Sequence, residues 1–277
     1  MSPVQPAASP NAASEPPVLE LEGVAVRFRA RGGKLFRPTV VKAVDGVDFS
    51  VRRGETVGIV GESGSGKSTL ASVLVGLQEP TEGTLRFKGR AVKRLDGRLR
   101  RDFGRTVSVV FQDPATALNP RMTIQDILLD PLVVHGIGND ASRRARVREL
   151  LSLVGLPQSA AEVTPSNVSG GQRQRVAIAR ALALEPELVI ADEPTIALDV
   201  SVRAQVLNLL SDLKRQLNLG MVFISHDIQT VRYVSDRICV IYKGRIVEEG
   251  TAEQVFDHPS NGYTRTLLGA APSLLDA

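Results

Sequence analysis

Gly61-Glu62-Ser63-Gly64-Ser65-Gly66-Lys67-Ser68-Thr69 stands between a short apolar run, Thr56–Val60, and a helical pattern that starts at Lys67 and continues to Leu77. The nonapeptide satisfies G-x-x-x-x-G-K-[ST], and strand, glycine loop and helix follow in the order that pattern requires. Glycines let the backbone wrap closely, so that successive N–H groups around Ser63, Gly64, Ser65 and Gly66 point inward, and the helix start at Lys67 to Thr69 adds positive potential. The Lys67 ammonium then reaches β- and γ-phosphates, and the Ser68 hydroxyl is placed to ligate Mg²⁺. The stretch predicts a nucleotide-binding loop at the edge of an α/β sheet. The competing reading is a Gly/Ser-rich turn that ends in a capped helix.

Other chemistry sits at similar places along the chain. Leu188-Val189-Ile190-Ala191-Asp192-Glu193 puts two carboxylates at the C-terminal edge of a buried strand, where ligands of open α/β sheets collect. Asp192 suits the metal shell, and Glu193, one residue on, suits the base that orients and deprotonates an attacking water. His226 follows the strand ending Phe223-Ile224-Ser225 and is expected at the same edge, able to pair with Glu193 and to contact a γ-phosphate. Gln112, after Val109-Val110-Phe111, offers a neutral amide to Mg²⁺ or to that water. A second glycine element, Ser169-Gly170-Gly171-Gln172, opens a helix read as Arg173 to Leu184. Its exposed N-terminus suits a phosphate, and a two-fold partner chain could supply it across an interface. Without a ligand it would be a simple N-cap. His135 and His258 read as surface residues.

Working outward, Val18–Phe28 alternates apolar and polar residues as one strand or a bulged pair interrupted at Gly23, and Arg29–Pro38 reads as a solvated, basic hairpin loop. Strand patterns follow at Val40–Val51, Gly83–Gly89 and Thr106–Phe111. From Pro114 to about Asn167 the pattern becomes helical, with Ile124, Ile127 and Leu128 on one face and Val147, Leu150, Leu151 and Val154 on another. Continuous apolar strands then alternate with a helix pattern at Ser201 to Leu217, which indicates parallel strands covered on both faces. A ribbon at Arg237–Gly250 and a short helical C-terminus close the chain.

Composition narrows the class. The 277 residues hold 34 Lys+Arg against 30 Asp+Glu, for a net charge of +4, with 43% hydrophobic residues. That balance excludes wholesale disorder, and the length suits one large or two small domains. No apolar run approaches the roughly 18 residues of a membrane span. Residues 1–17, rich in Pro, Ala and Ser, match neither a secretory signal nor an anchor and read as a disordered tail. The single cysteine, Cys239, excludes an internal disulfide and a cysteine-based metal framework. It reads as a small buried hydrophobe in a reducing compartment.

Taken together and in this order, the elements resemble the nucleotide-binding subunit of ATP-binding cassette transporters over residues 18–270. By that resemblance Gly61–Thr69 is the Walker A loop, Leu188–Asp192 with Glu193 the Walker B strand and catalytic base, Gln112 the Q-loop residue and His226 the switch histidine. Val168-Ser169-Gly170-Gly171-Gln172 resembles the LSGGQ element, Ala197-Leu198-Asp199 the D-loop, and Phe28 the aromatic that stacks on adenine. Val168 stands in place of the usual Leu, and Ile196 in place of the customary Ser. Val41-Lys42-Ala43-Val44-Asp45-Gly46-Val47, Phe111-Gln112-Asp113-Pro114, Ala117-Leu118-Asn119-Pro120-Arg121 and Asn261-Gly262-Tyr263-Thr264-Arg265 are similar to the dipeptide, oligopeptide and nickel importer branch. Many members of that branch carry a Cys-rich C-terminal extension, and with Cys239 as the single cysteine an iron–sulfur cofactor is not expected here.

The resemblance implies an α/β P-loop NTPase core with a mostly parallel sheet, an N-terminal antiparallel β subdomain, an inserted α-helical subdomain at about 114–170 and a C-terminal tail at 271–277. It further implies an ATPase that uses ATP and Mg²⁺, pairs with a second ATP-binding subunit in a homo- or heterodimer, and docks on transmembrane permease subunits at the cytoplasmic face of the cell membrane. An extracellular substrate-binding protein would act with it indirectly, and nucleic acid is not expected. The alternatives are import of nickel or another small solute, or a soluble cassette ATPase, which would call for a long coiled-coil insertion or a second cassette. A P-loop kinase or GTPase requires neither Ser169-Gly170-Gly171 nor His226.

Overall fold

The apolar runs that lack polar alternation fold as inner strands. In the computed structural model, which describes residues 16–30, 39–196 and 198–270, the elements run β1 (Leu19–Ala30), β2 (Thr39–Val51), β3 (Thr56–Val60), α1 (Lys67–Leu74), β4 (Glu82–Phe87), β5 (Arg90–Val92), α2 (Gly97–Thr106) and β6 (Val107–Val110). They continue with α3 (Pro114–Ala117), α4 (Ile124–Val134), α5 (Asp140–Leu153), α6 (Gly170–Ala181), β7 (Leu188–Asp192), α7 (Val200–Leu217), β8 (Gly220–Ser225) and α8 (Ile228–Val234). The last elements are β9 (Arg237–Tyr242), β10 (Arg245–Thr251), α9 (Ala252–Asp257) and α10 (Gly262–Gly269). Most of the expected N-terminal tail, the Arg-rich loop at 31–38, Ala197 and the C-terminal tail at 271–277 lie outside the described residues.

Six strands form the central sheet in the order β10-β9-β3-β8-β7-β6, parallel throughout except for the β9–β10 hairpin. Side chains alternate strictly between its two faces. Val189, Ala191, Met221, Phe223, Ile238 and Val240 join one buried cluster with residues of α4 to α8, whereas Leu188, Ile190, Val222, Ile224, Cys239 and Ile241 join a second with α1 and β1, β2 and β4. Covering on both faces explains why these strands read as unbroken apolar runs. Cys239 is fully buried, as expected.

The second cluster is roofed by a four-stranded antiparallel sheet of order β2-β1-β4-β5. β1 is one long strand whose register against β2 and β4 shifts around Gly23, which settles the choice between one strand and a bulged pair. Arg29 pairs with Val40 and Ala30 with Thr39, so the ribbon runs further into the expected loop than the sequence suggested.

The helical insertion consists of α3, α4, α5 and two 3-10 turns, Gln158–Glu162 and Pro165–Asn167. Arginines tie it to α6: Arg180 donates to the Ala117 carbonyl at 2.5 Å, Arg175 to Val154 at 2.7 Å and Arg173 to Pro165 at 3.4 Å, while Arg146 of α5 reaches back to the Leu182 carbonyl at 2.9 Å.

Several boundaries differ from the sequence reading. α1 stops at Leu74 rather than Leu77, because Val75 caps it and Gly76 takes φ +72°. Thr106 ends α2, a helix the sequence did not reveal, and β6 stops at Val110, leaving Phe111 exposed. α6 begins at Gly170 rather than Arg173 and ends at Ala181 rather than Leu184. His135 is half-buried against Gly104, with its Nδ1 buried and unpartnered, and is not a free surface residue; His258 is exposed, as read. No helix among the described residues is long and apolar enough to cross a membrane.

Gly58, in the middle of β3, shows how closely α8 packs on the sheet. A Cβ there would lie 2.3 Å from Val231 Cγ1 and 2.4 Å from Ser235 Oγ. Gly58→Ala is therefore predicted to lower stability by about 1–3 kcal/mol, read as a lower urea midpoint at unchanged slope.

Candidate functional site

The parallel order β6-β7-β8-β3 sets four C-terminal strand ends side by side, with Val110 opposite Ala191, Asp192 opposite Ile224 and Ser225 opposite Val60. Just beyond those ends stand Gln112, one residue after Phe111, then Glu193, His226 and the loop from Gly61. Ser63, Gly64, Gly66, Lys67, Ser68, Thr69, Gln112, Glu193 and His226 all line one cleft of about 660 Å³, within the range of small-molecule sites.

The loop itself is shaped by backbone constraints. Gly64 and Gly66 have φ of +76° and +111°, a region that only glycine enters cheaply. Gly66 is also the N-cap of α1 and supplies no side-chain acceptor, and the first turn of α1 holds no acidic residue, so its amides are left for an anion. Lys67 is buried and donates to the carbonyls of Gly61 (2.8 Å) and Glu62 (2.9 Å). Burial lowers its pKa, against the opposing attraction of Glu193 and Asp192. Gly61 and Ser65 lie behind the lining; Ser65 Oγ is buried without a partner, and the Ser65 carbonyl accepts from Gly244 N–H at 2.8 Å.

Glu193 sits at φ +46°, unusual for a side chain of its size. Its N–H is held by the Ile224 carbonyl at 2.9 Å, and its Oε2 is 2.8 Å from His226 Nδ1. A carboxylate only accepts, so Nδ1–H donates in this bond. Asp192 lies close by but outside the lining. Its Oδ1 is buried and unpartnered, and burial, then the charge of Glu193, raises its pKa despite Lys67.

The other expected residues are not brought into this cleft. Phe28 is 44% exposed on β1, paired with Val41, which does line the cleft. Ser169 forms a capping box with Gln172: its Oγ accepts from Gln172 N–H at 3.2 Å, and Gln172 Oε1 accepts from Ser169 N–H at 2.9 Å. Gly170 faces open space, whereas a Cβ on Gly171 would meet Val202 of α7 at 2.6 Å. Asp199 is the exposed N-cap of α7 and makes no side-chain cap bond. Conversely, Lys42 and Lys243 line the cleft and were not singled out in the sequence. A signal was present for Lys243, which precedes Gly244 in a tight turn after an apolar strand; Lys243 and Gly244 have φ of +47° and +81°.

The family model described as ABC transporter matches residues 44–196 of this chain. The chain belongs to that family. This ABC chain is 47% identical over 264 residues to the oligopeptide transport ATP-binding protein AppF of Bacillus subtilis, with 94% of this chain and 80% of that protein covered. It is 46% identical over 258 residues to the oligopeptide transport ATP-binding protein OppF of Lactococcus lactis, with 93% and 81% covered. Among solved structures, the ATP-binding cassette MJ0796, described as a post-hydrolysis dimer bound to ADP and Pi, superposes with a TM-score of 0.74 at 32% identity, covering 84% of this chain and 98% of that one. The cbiO1 protein of Clostridium perfringens, part of the ABC transporter complex cbiONQ, gives a TM-score of 0.75 at 27% identity, covering 87% and 91%.

Because its pKa is raised on folding, Asp192 destabilises the protein in its ionised form; that cost is complete above the folded pKa and absent below the ordinary 3.8. Asp192→Asn is predicted to raise Tm near pH 8 in protein free of nucleotide and divalent cations, by roughly 2–4 °C per kcal/mol relieved. The gain should shrink as the pH is lowered toward about 4, and a pH series of thermal melts reads it.

Proposed function

We propose that this chain is the ATP-hydrolysing subunit of a membrane transporter that imports di- or oligopeptides, and that the ATPase unit spans residues 18–270 with its helical subdomain at about 114–170. The observation that carries the reading is the convergence of the Lys67 loop with the Glu193–His226 pair in one cleft at the parallel strand ends. The glycine loop and Lys67 bind the triphosphate, with Lys42 and Lys243 adding cationic potential around it. Glu193 orients a water and takes its proton as the water oxygen bonds to the γ-phosphorus; the bond from that phosphorus to the β-phosphate bridging oxygen breaks, and ADP and phosphate leave. His226, held by Glu193, faces the transferred group, and Gln112 senses it from the β6 end.

The residues present fit a small hard cation. Asp192 carries an unpartnered buried oxygen, and Ser68 offers a hydroxyl at the cleft. Among the described residues no cluster of three or more His, Cys, Asp or Glu forms a cage, so phosphate oxygens and water would complete the shell, as Mg²⁺ sites do. Mg²⁺, when bound, would neutralise charge on the β- and γ-phosphates.

Partners follow from what the single chain leaves unfinished. Ser169 to Gln172 and Asp199 do not line the chain's own cleft, which supports a second ATP-binding subunit whose Ser169 element covers it. Nucleotide that binds the closed pair better than the open pair biases a two-state dimer. A groove of about 420 Å³ where the end of α1, α2 and the end of α4 meet has an apolar lining that includes the buried Phe103 and the exposed Leu77 and Val134, beside Arg100 and Arg101. Leu77 and Val134 are 69% and 73% exposed. It suits a cytoplasmic permease helix with acidic residues, which supports a peripheral position at the cytoplasmic face of the membrane. The peptide cargo is supported by the likeness to AppF and OppF, both named as oligopeptide transport ATP-binding proteins; an extracellular binding protein would act with the transporter indirectly.

Glu193→Gln is expected to bind ATP normally, to lose about 100-fold or more of its hydrolysis rate, and to elute as an ATP-dependent dimer on size exclusion with its partner subunit present. Normal turnover in that variant would refute the base assignment. Lys67→Ala is expected to weaken ATP binding itself about tenfold or more, measured by calorimetry.

A further inference from the structure

α10 follows the last strand and contributes nothing to the cleft wall, yet one of its side chains touches the phosphate loop. The start of α10 is fixed to β10. Glu248 accepts from the Ser260 N–H (2.6 Å), the Ser260 hydroxyl (2.8 Å) and the Asn261 N–H (3.2 Å), and Asn261 Nδ2 donates to the Val247 carbonyl at 3.2 Å. Asn261 Oδ1 caps the helix by accepting from Tyr263 N–H at 2.8 Å. From this anchor the Tyr263 ring lies on Tyr242, with centroids 4.1 Å apart and planes inclined by 31°. Its hydroxyl oxygen accepts from the Glu62 N–H at 3.1 Å. Burial pushes the phenol pKa up, so the group is a neutral hydroxyl at physiological pH.

The Glu62 N–H and the Gly61 carbonyl belong to one planar peptide group. Tyr263 holds one edge of that plane, and Lys67 Nζ is bonded to the other at 2.8 Å. The plane has little room elsewhere, since a Cβ on Gly61 would stand 2.2 Å from the Ile241 carbonyl. Tyr242, the ring beneath Tyr263, also carries the Lys243 ammonium 4.9 Å from its centroid, and Lys243 is in the cleft wall. A tyrosine pair outside the cleft thus braces both the peptide that parks Lys67 and the turn that presents Lys243.

We propose that Tyr263 is a positioning residue for the nucleotide: by fixing the Gly61–Glu62 peptide it sets the carbonyl that holds Lys67, so that the C-terminal helix tunes affinity for the polyphosphate. The inference rests on the nucleotide-binding reading above. Tyr263→Phe keeps the ring on Tyr242 and removes only the hydroxyl.

In the full chain, Tyr263→Phe is expected to raise the Kd for ADP with magnesium, measured by calorimetry, and the KM for ATP by about three- to tenfold. kcat should stay within about twofold of the parent, because Tyr263 is not among the residues that line the cleft with Glu193. Tyr263→Leu, which also loses the ring contact, is expected to weaken binding further and to lower Tm. A change confined to Tm or kcat, or a Kd and KM equal to those of the parent, would overturn the inference while leaving the nucleotide reading intact. Failure of the parent protein to bind ADP would overturn both.

Discussion

A methyl group at position 66 would lie 2.2 Å from the Ala43 carbonyl oxygen, and one at Gly244 would lie 2.9 Å from the same atom. Three backbone segments, β2, the phosphate loop and the β9–β10 turn, therefore meet around a single carbonyl with no space for side chains between them. This contact is what allows the loop to curl over the end of β3 and aim the first amides of α1 into the cleft. It also explains why the antiparallel sheet and the parallel sheet cannot be separated functionally. Val41, Lys42 and Ala43 reach the cleft only because β2 is pressed against the loop.

Electrostatics at the strand ends are arranged as opposed groups kept out of full solvation. Lys67 is buried with its pKa lowered by that burial, while Asp192 is half-buried with its pKa raised by loss of solvent, and each moderates the other. Neither group reaches a stable state by itself, because Asp192 Oδ1 has no partner and Lys67 is satisfied only by carbonyls of its own loop. Such a site is poised for a ligand that brings both negative charge and a counter-cation. The left-handed backbone at Glu193 belongs to the same arrangement. The bond its N–H donates to the Ile224 carbonyl and the one its carboxylate accepts from His226 Nδ1–H hold a conformation that the chain would not choose alone.

Much of this was legible in the sequence, for identifiable reasons. Inner parallel strands carry unbroken apolar runs, so β3, β7 and β8 could be read, and the residues that follow them, Lys67, Glu193 and His226, fell into one place once the sheet was parallel. α2 was not legible, because Gly97–Thr106 carries only two apolar side chains, Leu99 and Phe103, holds two glycines and buries only Phe103 and Thr106. The start of α6 was missed since glycines at 170 and 171 argue against a helix interior, whereas the capping box formed by Ser169 and Gln172 outweighs them. The half-buried state of His135 depends on its meeting Gly104 some thirty positions earlier, and the role of Lys243 depends on a turn meeting β2. Pairings of that kind leave no local pattern in a chain.

The arginine ties between α6 and the helical insertion have a mechanical meaning. Because Arg173, Arg175 and Arg180 of α6 clasp carbonyls of the insertion, and Arg146 of the insertion clasps the Leu182 carbonyl at the end of α6, that helix behaves as a tie rod rather than as an independent cylinder. Its twelve residues span about 18 Å at 1.5 Å per residue. A tilt of about 10° imposed on the far end would swing the Ser169 tip through roughly 3 Å, about one hydrogen-bond length. A push on the insertion would therefore carry Ser169 with it, with no step in which the insertion itself has to unfold.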